Sequence, residues 1–349
     1  MARSNVVRVA IIGAGAISTK VHIPCYLSND NARVVALVDP DVTVAKKVAK
    51  KFGIESYFPS TKELFEHSKV DVLSVCTPPN THAEIVQEAL EQNLDVLCEK
   101  PLAENFEAGK KIYDTAVASE NFVMIGFNRR FHSDYLKVRK IAKSGKAGHV
   151  YLVEYSSLQG SPLLGWTKSN WQYTEGVGGC LNDQGSHVFD ILNWFLGDPI
   201  SAVASFSTNS DSSVDESCVA AVEYDKSIDI GIMSWLNAVR IENLTVHGTG
   251  RSIYVSPSPN FFLDLNPSDL PNLSVWKSAS RTLSKTIRGA FLPTGTDIYQ
   301  KEIDYFIQCV RKRTKPFLDV AAGLKALAVT DAVKRSIEHK AKIQVASVS

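Results

Sequence analysis

The sequence has no C-x-x-C pair and no cysteines and histidines at metal-ligand spacing. Its six cysteines, Cys25, Cys76, Cys98, Cys180, Cys218 and Cys309, stand far apart. That argues against a structural zinc site and a dithiol redox centre, so no metal is expected and buried free thiols in a reducing compartment are the simpler reading. An excess of one charge is missing too: 38 Lys and Arg face 37 Asp and Glu, for a formal net charge of +1. Without a basic surplus there is no electrostatic footprint for nucleic acid. No apolar run approaches the roughly 20 residues of a membrane helix, and no signal-peptide pattern precedes the first strand, so a cytoplasmic protein without a membrane partner is expected. Internal repeats and low-complexity tracts are also lacking. What is present is ordinary for a globular protein, 44% hydrophobic and 21% charged residues. The 349 residues exceed what one hydrophobic core serves, since cores stop growing beyond about 250 residues, and two domains are expected.

Residues 7–126 alternate β-branched runs (Val7 to Ile12, Val34 to Val38, Val70 to Val75, Leu94 to Cys98, Phe122 to Ile125) with amphipathic stretches (Val42 to Phe52, Thr61 to His67, Ala83 to Gln92, Phe106 to Ser119). Strand and helix in alternation imply right-handed crossovers and a doubly wound parallel sheet, an α/β Rossmann arrangement. From His149 the pattern changes to strands with few helices between them: Val150 to Ser156, Ala202 to Ser207, Val219 to Tyr224, Ile228 to Ser234 and Leu244 to His247. With helices over Ser186 to Leu196, Asp297 to Arg313 and Ala321 to His339, this reads as an α+β domain with an open, mostly antiparallel sheet. The expected boundaries are 1–126 for the nucleotide-binding domain and 127–349 for the second domain. Pro257 to Gly295, rich in proline and serine, has no clear period and reads as a long irregular segment.

Gly13-Ala14-Gly15-Ala16-Ile17-Ser18 follows the first strand and opens a helix, where a dinucleotide fold needs glycines so that backbone and helix N-terminus can approach a pyrophosphate. Ser18 replaces the third glycine. Asp39, 21 residues after Ser18 at the end of the next strand, can accept hydrogen bonds from a ribose and repels a 2′-phosphate, which favours NAD over NADP. The competing reading makes the glycines a tight turn and Asp39 a turn residue before Pro40, and Lys46 and Lys47 can spoil the NAD preference. Thr77-Pro78-Pro79-Asn80-Thr81-His82 and Glu99-Lys100-Pro101 follow strands at their carboxyl ends, the ligand edge of an open α/β sheet. For His82 a solvated first-turn histidine competes with a ribose contact, and for Asn80 a helix cap competes with cofactor binding. Lys100, between a strand end and a proline, suits proton shuttling beside a nicotinamide. Downstream, Asp183 and His187 stand four apart and can share one helix face, a serviceable acid/base pair. A capping Asp183 and a core His187 are the competing reading, and Asp190 can bridge to His187.

The glycine turn, Glu99-Lys100-Pro101, Asn128-Arg129-Arg130-Phe131, and Gly178-Gly179 through Asp183 to His187, in this order and spacing, resemble the Gfo/Idh/MocA oxidoreductases nearly end to end. The resemblance implies a Rossmann domain followed by an α/β domain whose open sheet serves homo-oligomer contacts, with a sugar or polyol substrate held between the two. It further implies that Lys100, Asp183 and His187 are catalytic, that Asn128 lies near the nicotinamide, that Lys100-Pro101 is a cis peptide, and that Arg129 and Trp171 join Lys100, Asp183 and His187 around the substrate. The cofactor set implied is Gly13, Gly15, Ala16, Ile17, Asp39, Thr77, Pro78, Asn80, His82, Glu99, Lys100 and Asn128. One departure stands out: members often carry Trp-Arg before the glycine run, whereas this chain has Trp171-Gln172. The expected activity is NAD(P)-dependent oxidation of a carbinol carbon. The two rivals are a glycosidase that retains its NAD and a non-catalytic nucleotide sensor.

Overall fold

The computed structural model describes residues 6–162, 171–208, 212–258, 260–265 and 296–348. They divide into two compact units. The first runs to Asn128 and takes in Ile298–Leu327 as well, so the chain returns to it near its end, a return that the 1–126 boundary does not contain.

The first unit is built on six parallel strands, β1 (Val7–Ile12), β2 (Ala32–Val38), β3 (Ser56–Phe58), β4 (Val72–Val75), β5 (Asp95–Cys98) and β6 (Val123–Ile125), in the order β3-β2-β1-β4-β5-β6. β4 and β5 are buried along their whole length, the consequence of helices on both faces of a parallel sheet. The connecting helices are set by local chemistry. α2 (Val42–Phe52) starts where Asp41 accepts from the Thr43 and Val44 amides and stops at Gly53, whose φ of 68° is left-handed. α3 (Thr61–His67) is capped by Ser60, which accepts from the Glu63 amide, and α5 (Phe106–Ala118) by Asn105; α4 spans His82–Glu91. The order reverses between β1 and β4. Ligands bind outside the carboxyl ends of strands at such a switch point.

The second unit holds an eight-stranded sheet, β13-β12-β11-β7-β10-β9-β8-β14, formed by β7 (Val150–Leu158), β8 (Ser201–Ser207), β9 (Ser217–Glu223), β10 (Ile228–Ser234), β11 (Ile241–Gly248), β12 (Ser252–Ser258), β13 (Asn260–Leu265) and β14 (Ile343–Gln344). Only β10 with β7 is parallel. Two further helices, α6 (Ser133–Lys143) and α7 (Cys180–Leu196), precede most of these strands, while α8 (Thr296–Lys312) and α9 (Val320–His339) close the chain. α7 lies against one face of the sheet. A Cβ on Gly231 would sit 2.8 Å from Val188, and one on Gly185 within 3.1–3.4 Å of Leu181, Phe189 and Met233, so both glycines permit the close approach. Burial alternates along the strands; Val203, Val219 and Ile228 are exposed on the sheet.

Two expectations are corrected here. α7 begins at Cys180, six residues ahead of Ser186, with Gly179 as its N-cap, and takes Gly185 inside it. The segment from Pro257 is not irregular at its start: Pro257 pairs with Asn260 in the β12–β13 hairpin, and residues 266–295 lie outside the described residues. No helix among the described residues is long and apolar enough to cross a membrane.

Candidate active site

In the first unit the glycine turn follows β1 directly. Gly13 has φ +97°, and a Cβ there would lie 2.9 Å from the Cys76 carbonyl oxygen, so the turn needs glycine for both backbone and space. Gly15 is exposed, and a Cβ on it would meet nothing within 4 Å. Helix begins at Ala16 and Ile17, which leaves an open approach to backbone amides at a helix start, the geometry a pyrophosphate requires. Ser18, in place of the third glycine, is fully buried and donates its hydroxyl to the Gly15 carbonyl at 2.8 Å.

Asp39 is bound into this turn. One carboxylate oxygen accepts the Ala14 amide at 2.8 Å and the other the Asp41 amide at 2.9 Å, so the side chain organises the glycine turn from the end of β2. Thr77 accepts the Thr81 hydroxyl at 2.7 Å; Pro78 and Asn80 are exposed. Asn80 is not a helix cap, because it lies within the short turn Pro79–Thr81 and α4 takes Thr81 as its N-cap.

His82 fits neither of its two expectations. It is fully buried, with Nε2 2.9 Å from the Thr77 carbonyl and Nδ1 3.0 Å from the Pro101 carbonyl. The ring ties the loop after β4 to the loop after β5, and burial depresses its pKa against the pull of those carbonyls. Glu99 is likewise absorbed into the scaffold. Its carboxylate accepts the Lys100 amide at 3.2 Å and faces His22 Nε2 at 2.8 Å, and Gly126 leaves room for it. Lys100 is half-buried, and Lys100-Pro101 is cis. Asn128 is buried at the head of the turn Asn128–Phe131.

His22 was not singled out by sequence. Pro24 has no N–H to give back to Lys20, and the helix widens to a π turn over Ser18–His22 just ahead of α1 (Ile23–Leu27). The ring of His22 is fully buried, with Nδ1 2.9 Å from the Ser74 hydroxyl. Burial opposes the imidazolium, but the neighbouring Cys76 and Glu99 outweigh it and raise the pKa well above the ordinary range. Burial would raise the Glu99 carboxyl in turn, yet His22 and Lys100 bring it below its usual value. A buried ion pair therefore sits under the Glu99-Lys100 strand end.

In the second unit α7 carries Asp183 and His187, four residues apart, and every residue from Cys180 to Asn193 is buried. Asp183 is not the N-cap, since Gly179 takes that position. The amide donors at the helix start are met by Asp215, which accepts Cys180 N–H on its carbonyl at 2.8 Å and Leu181 N–H on its carboxylate at 2.7 Å. A Cβ on Gly179 would collide with that carboxylate, which accounts for the second glycine of the Gly178-Gly179 run. Asp190 does not bridge to His187; it forms a two-point pair with Arg130 at 2.9 and 2.5 Å.

Arg129 does not offer its guanidinium to a substrate. It is 7% exposed and surrounded by Tyr155 (2.9 Å), Ser157 (3.2 Å), Gln184 (3.1 Å) and Glu242 (3.6 Å). The Tyr135 and Tyr155 hydroxyls both donate to Glu242, at 2.9 and 2.7 Å. Burial would raise the Glu242 carboxyl, but Arg129, Arg240 and the Tyr155 hydroxyl hold it down at about 2. Of this cluster the sequence pointed only to Arg129, because its partners come from two strands, β7 and β11, and from α7. Trp171 is half-buried at the start of the turn Trp171–Tyr173, and Gln172 is buried. Thus Lys100, the glycine turn and Asn128 belong to the first unit, and Asp183, His187 and Arg129 to the second.

Known proteins match each part of the chain in turn. Residues 7–127 match the model described as oxidoreductase family, NAD-binding Rossmann fold, and residues 135–254 match the GFO/IDH/MocA C-terminal domain. The inositol 2-dehydrogenase of Rhizobium meliloti (strain 1021) is 29% identical over 349 residues, covering 97% of this chain and 99% of that enzyme. The D-glucoside 3-dehydrogenase of Escherichia coli (strain K12) is 33% identical over 196 residues, 56% of each chain. Among solved structures, the WlbA dehydrogenase from Bordetella pertussis in complex with NADH and UDP-GlcNAcA superposes with a TM-score of 0.81 at 20% identity, covering 98% of this chain and 100% of that one, a likeness of fold. With both family models matched in order and the motifs of each in place, the chain belongs to the Gfo/Idh/MocA oxidoreductase family and carries its NAD-binding Rossmann domain.

Proposed function

We propose that the protein oxidises a carbinol carbon of a sugar, cyclitol or sugar derivative, or reduces the corresponding carbonyl, with NAD preferred to NADP. The observation that carries this reading is the Asp183–His187 pair on one face of a buried helix, in a chain matched by the family in both units. The substrate class is supported by the relatives, which are named for inositol and a glucoside. A bound dinucleotide supplies the hydride acceptor or donor. His187 takes the proton of the reacting hydroxyl, Lys100 hydrogen-bonds the same oxygen and stabilises its growing charge, and Asp183 orients His187 or the sugar. Gly13, Gly15, Ala16 and Ile17 receive the pyrophosphate, Asp39 the adenosine ribose, and Thr77, Pro78, Asn80 and Asn128 line the remainder of the cofactor, while Trp171 contacts the substrate. The preference for NAD rests on the Asp39 carboxylate, which opposes a 2′-phosphate. The second unit serves as the substrate and oligomerisation domain, with Val203, Val219 and Ile228 on the sheet surface that joins copies. Six buried free cysteines suit the cytoplasm.

The test is a screen of NAD and NADP reduction against inositols, aldoses, sugar acids and nucleotide sugars, repeated with Lys100→Ala. Turnover of at least one polyol is expected, with the variant binding NADH normally but losing about 100-fold in kcat, the usual cost of a donor aimed at developing charge. Near-normal kcat in the variant would remove Lys100 from the reaction, and release of free sugar without net NADH would indicate the NAD-retaining glycosidase instead.

A further inference from the structure

The buried cluster around Arg129 reaches the candidate catalytic helix at Gln184. Its carbonyl oxygen receives the Ser157 hydroxyl at 2.7 Å and the Arg129 guanidinium at 3.1 Å. A guanidinium can only donate, so the carboxamide has one orientation available, oxygen towards Arg129. The amide nitrogen must then point the other way, and it lies 3.3 Å from the Asp183 carboxylate. Arg129 is itself held by Tyr155 and by the Glu242 carboxylate, which two tyrosine hydroxyls and Arg240 also engage.

From this we infer that Gln184 is a positioning residue: Arg129 and Ser157 fix its orientation, and its N–H then sets the carboxylate of Asp183. The inference rests on the proposed role of Asp183. It assigns to Arg129 a function that needs no contact with substrate, and it accounts for a charged cluster sealed inside the sheet where apolar packing would serve stability as well. A buried donor with one allowed orientation is a firmer support than a rotatable hydroxyl, and a catalytic group loses rate quickly when displaced by about 1 Å.

Removing Arg129 would leave the buried Glu242 with the largely exposed Arg240 as its cation and endanger the fold, so the test uses other positions. Gln184→Glu keeps an acceptor for both Arg129 and Ser157 but replaces the donor facing Asp183 with a like charge. Expected is a melting temperature within a few degrees of the wild type, KM changed by less than about threefold, and kcat lower by about tenfold or more, a split that lost packing alone would not produce. Ser157→Ala removes one of the two donors that hold the carboxamide oxygen, leaving Arg129 to keep its orientation but place it less tightly, and should cost about two- to fivefold in kcat. The same change made on top of Gln184→Glu should cost nothing further, because the N–H through which Ser157 would act on Asp183 is already gone; this non-additivity is the signature of the proposed relay. All three proteins are compared with Asp183→Asn on the best substrate from the polyol screen, and Gln184→Glu is also crystallised. If Asp183→Asn is crippled while Gln184→Glu keeps normal kcat, the relay is overturned and the function stands. If Asp183→Asn is itself active, the reading of Asp183 falls and the relay with it. An Asp183 rotamer unmoved in the Gln184→Glu crystal overturns the relay whatever substrate is used.

Discussion

Asp39 illustrates how one side chain takes on two tasks. Its carboxylate accepts the Ala14 and Asp41 amides, so it shapes the glycine turn as well as presenting negative charge beside the proposed ribose site. Asp39→Ala therefore does more than erase discrimination. Two amides lose their acceptor, and both NAD and NADP should bind less well; NAD loses the ribose contact in addition, whereas NADP escapes a repulsion. The ratio of kcat/KM for NAD over NADP should fall by about tenfold, which corresponds to about 1.4 kcal/mol. Steady-state kinetics with each cofactor provide the check. An unchanged ratio, with both cofactors weakened equally, would reduce Asp39 to a turn-forming residue and direct attention to Lys46 and Lys47. The place of Asp39 beside the glycine turn was legible because it depends on position in a local motif. The burial of His82 was not, since its partners Pro101 and Leu102 lie in another loop.

At the level of elements, the first sheet could be read almost strand by strand, because buried parallel strands are continuous apolar runs and their helices carry caps in the sequence. α2 and α3 begin and end where the pattern placed them. α7 was read from Ser186, whereas it starts at Cys180 and takes in Gly185, a residue that disfavours helix by roughly 1 kcal/mol but whose missing Cβ leaves room for Leu181 and Phe189 of the same helix and for Met233 of β10. The β12–β13 hairpin was hidden by its prolines. Neither the His22–Glu99 pair nor the Gln184 relay was visible, for each joins elements far apart in sequence. The His22 pair has a measurable consequence. It links the helix after the glycine turn to the end of β5, with both partners buried, the imidazolium favoured by Cys76 and Glu99 and the carboxylate by His22 and Lys100. His22→Ala leaves the Glu99 carboxylate without its cation and should cost about 3 kcal/mol in urea unfolding, the typical penalty for breaking a buried pair from one side. Glu99→Gln removes the stranded charge and keeps a hydrogen-bonding group, so its loss should be clearly smaller. Equal losses in the two variants would mean that the pair acts through packing rather than charge.

For the molecule as a whole, the pH dependence of folding is set in part by a carboxyl group remote from the proposed chemistry. Asp229 lies in β10, near the middle of the eight-stranded sheet, fully buried beneath Tyr224, whose hydroxyl donates to it at 2.7 Å. Burial pushes its pKa up to about 8, against the hydrogen bond from Tyr224. In the unfolded chain the same group titrates near 3.9. Below about pH 4 both states hold the proton and the contribution to stability is complete. Between about pH 4 and pH 8 only the folded state holds it, the unfolded state having released it, so stability must decline as pH rises; above pH 8 this contribution is exhausted. A single group of this kind has a limiting slope of about 1.4 kcal/mol per pH unit. Asp229→Asn has no proton to lose, and the remaining titrating groups are common to both proteins, so the difference between their unfolding free energies isolates the effect. Measured by urea titration at pH 5, 6, 7 and 8, the variant should gain on the wild type by about 1 kcal/mol for each unit. A difference that stays constant across these four conditions would mean that Asp229 is ionised throughout and that Tyr224 and Asn193, which also share a hydrogen bond, stabilise its charge in place.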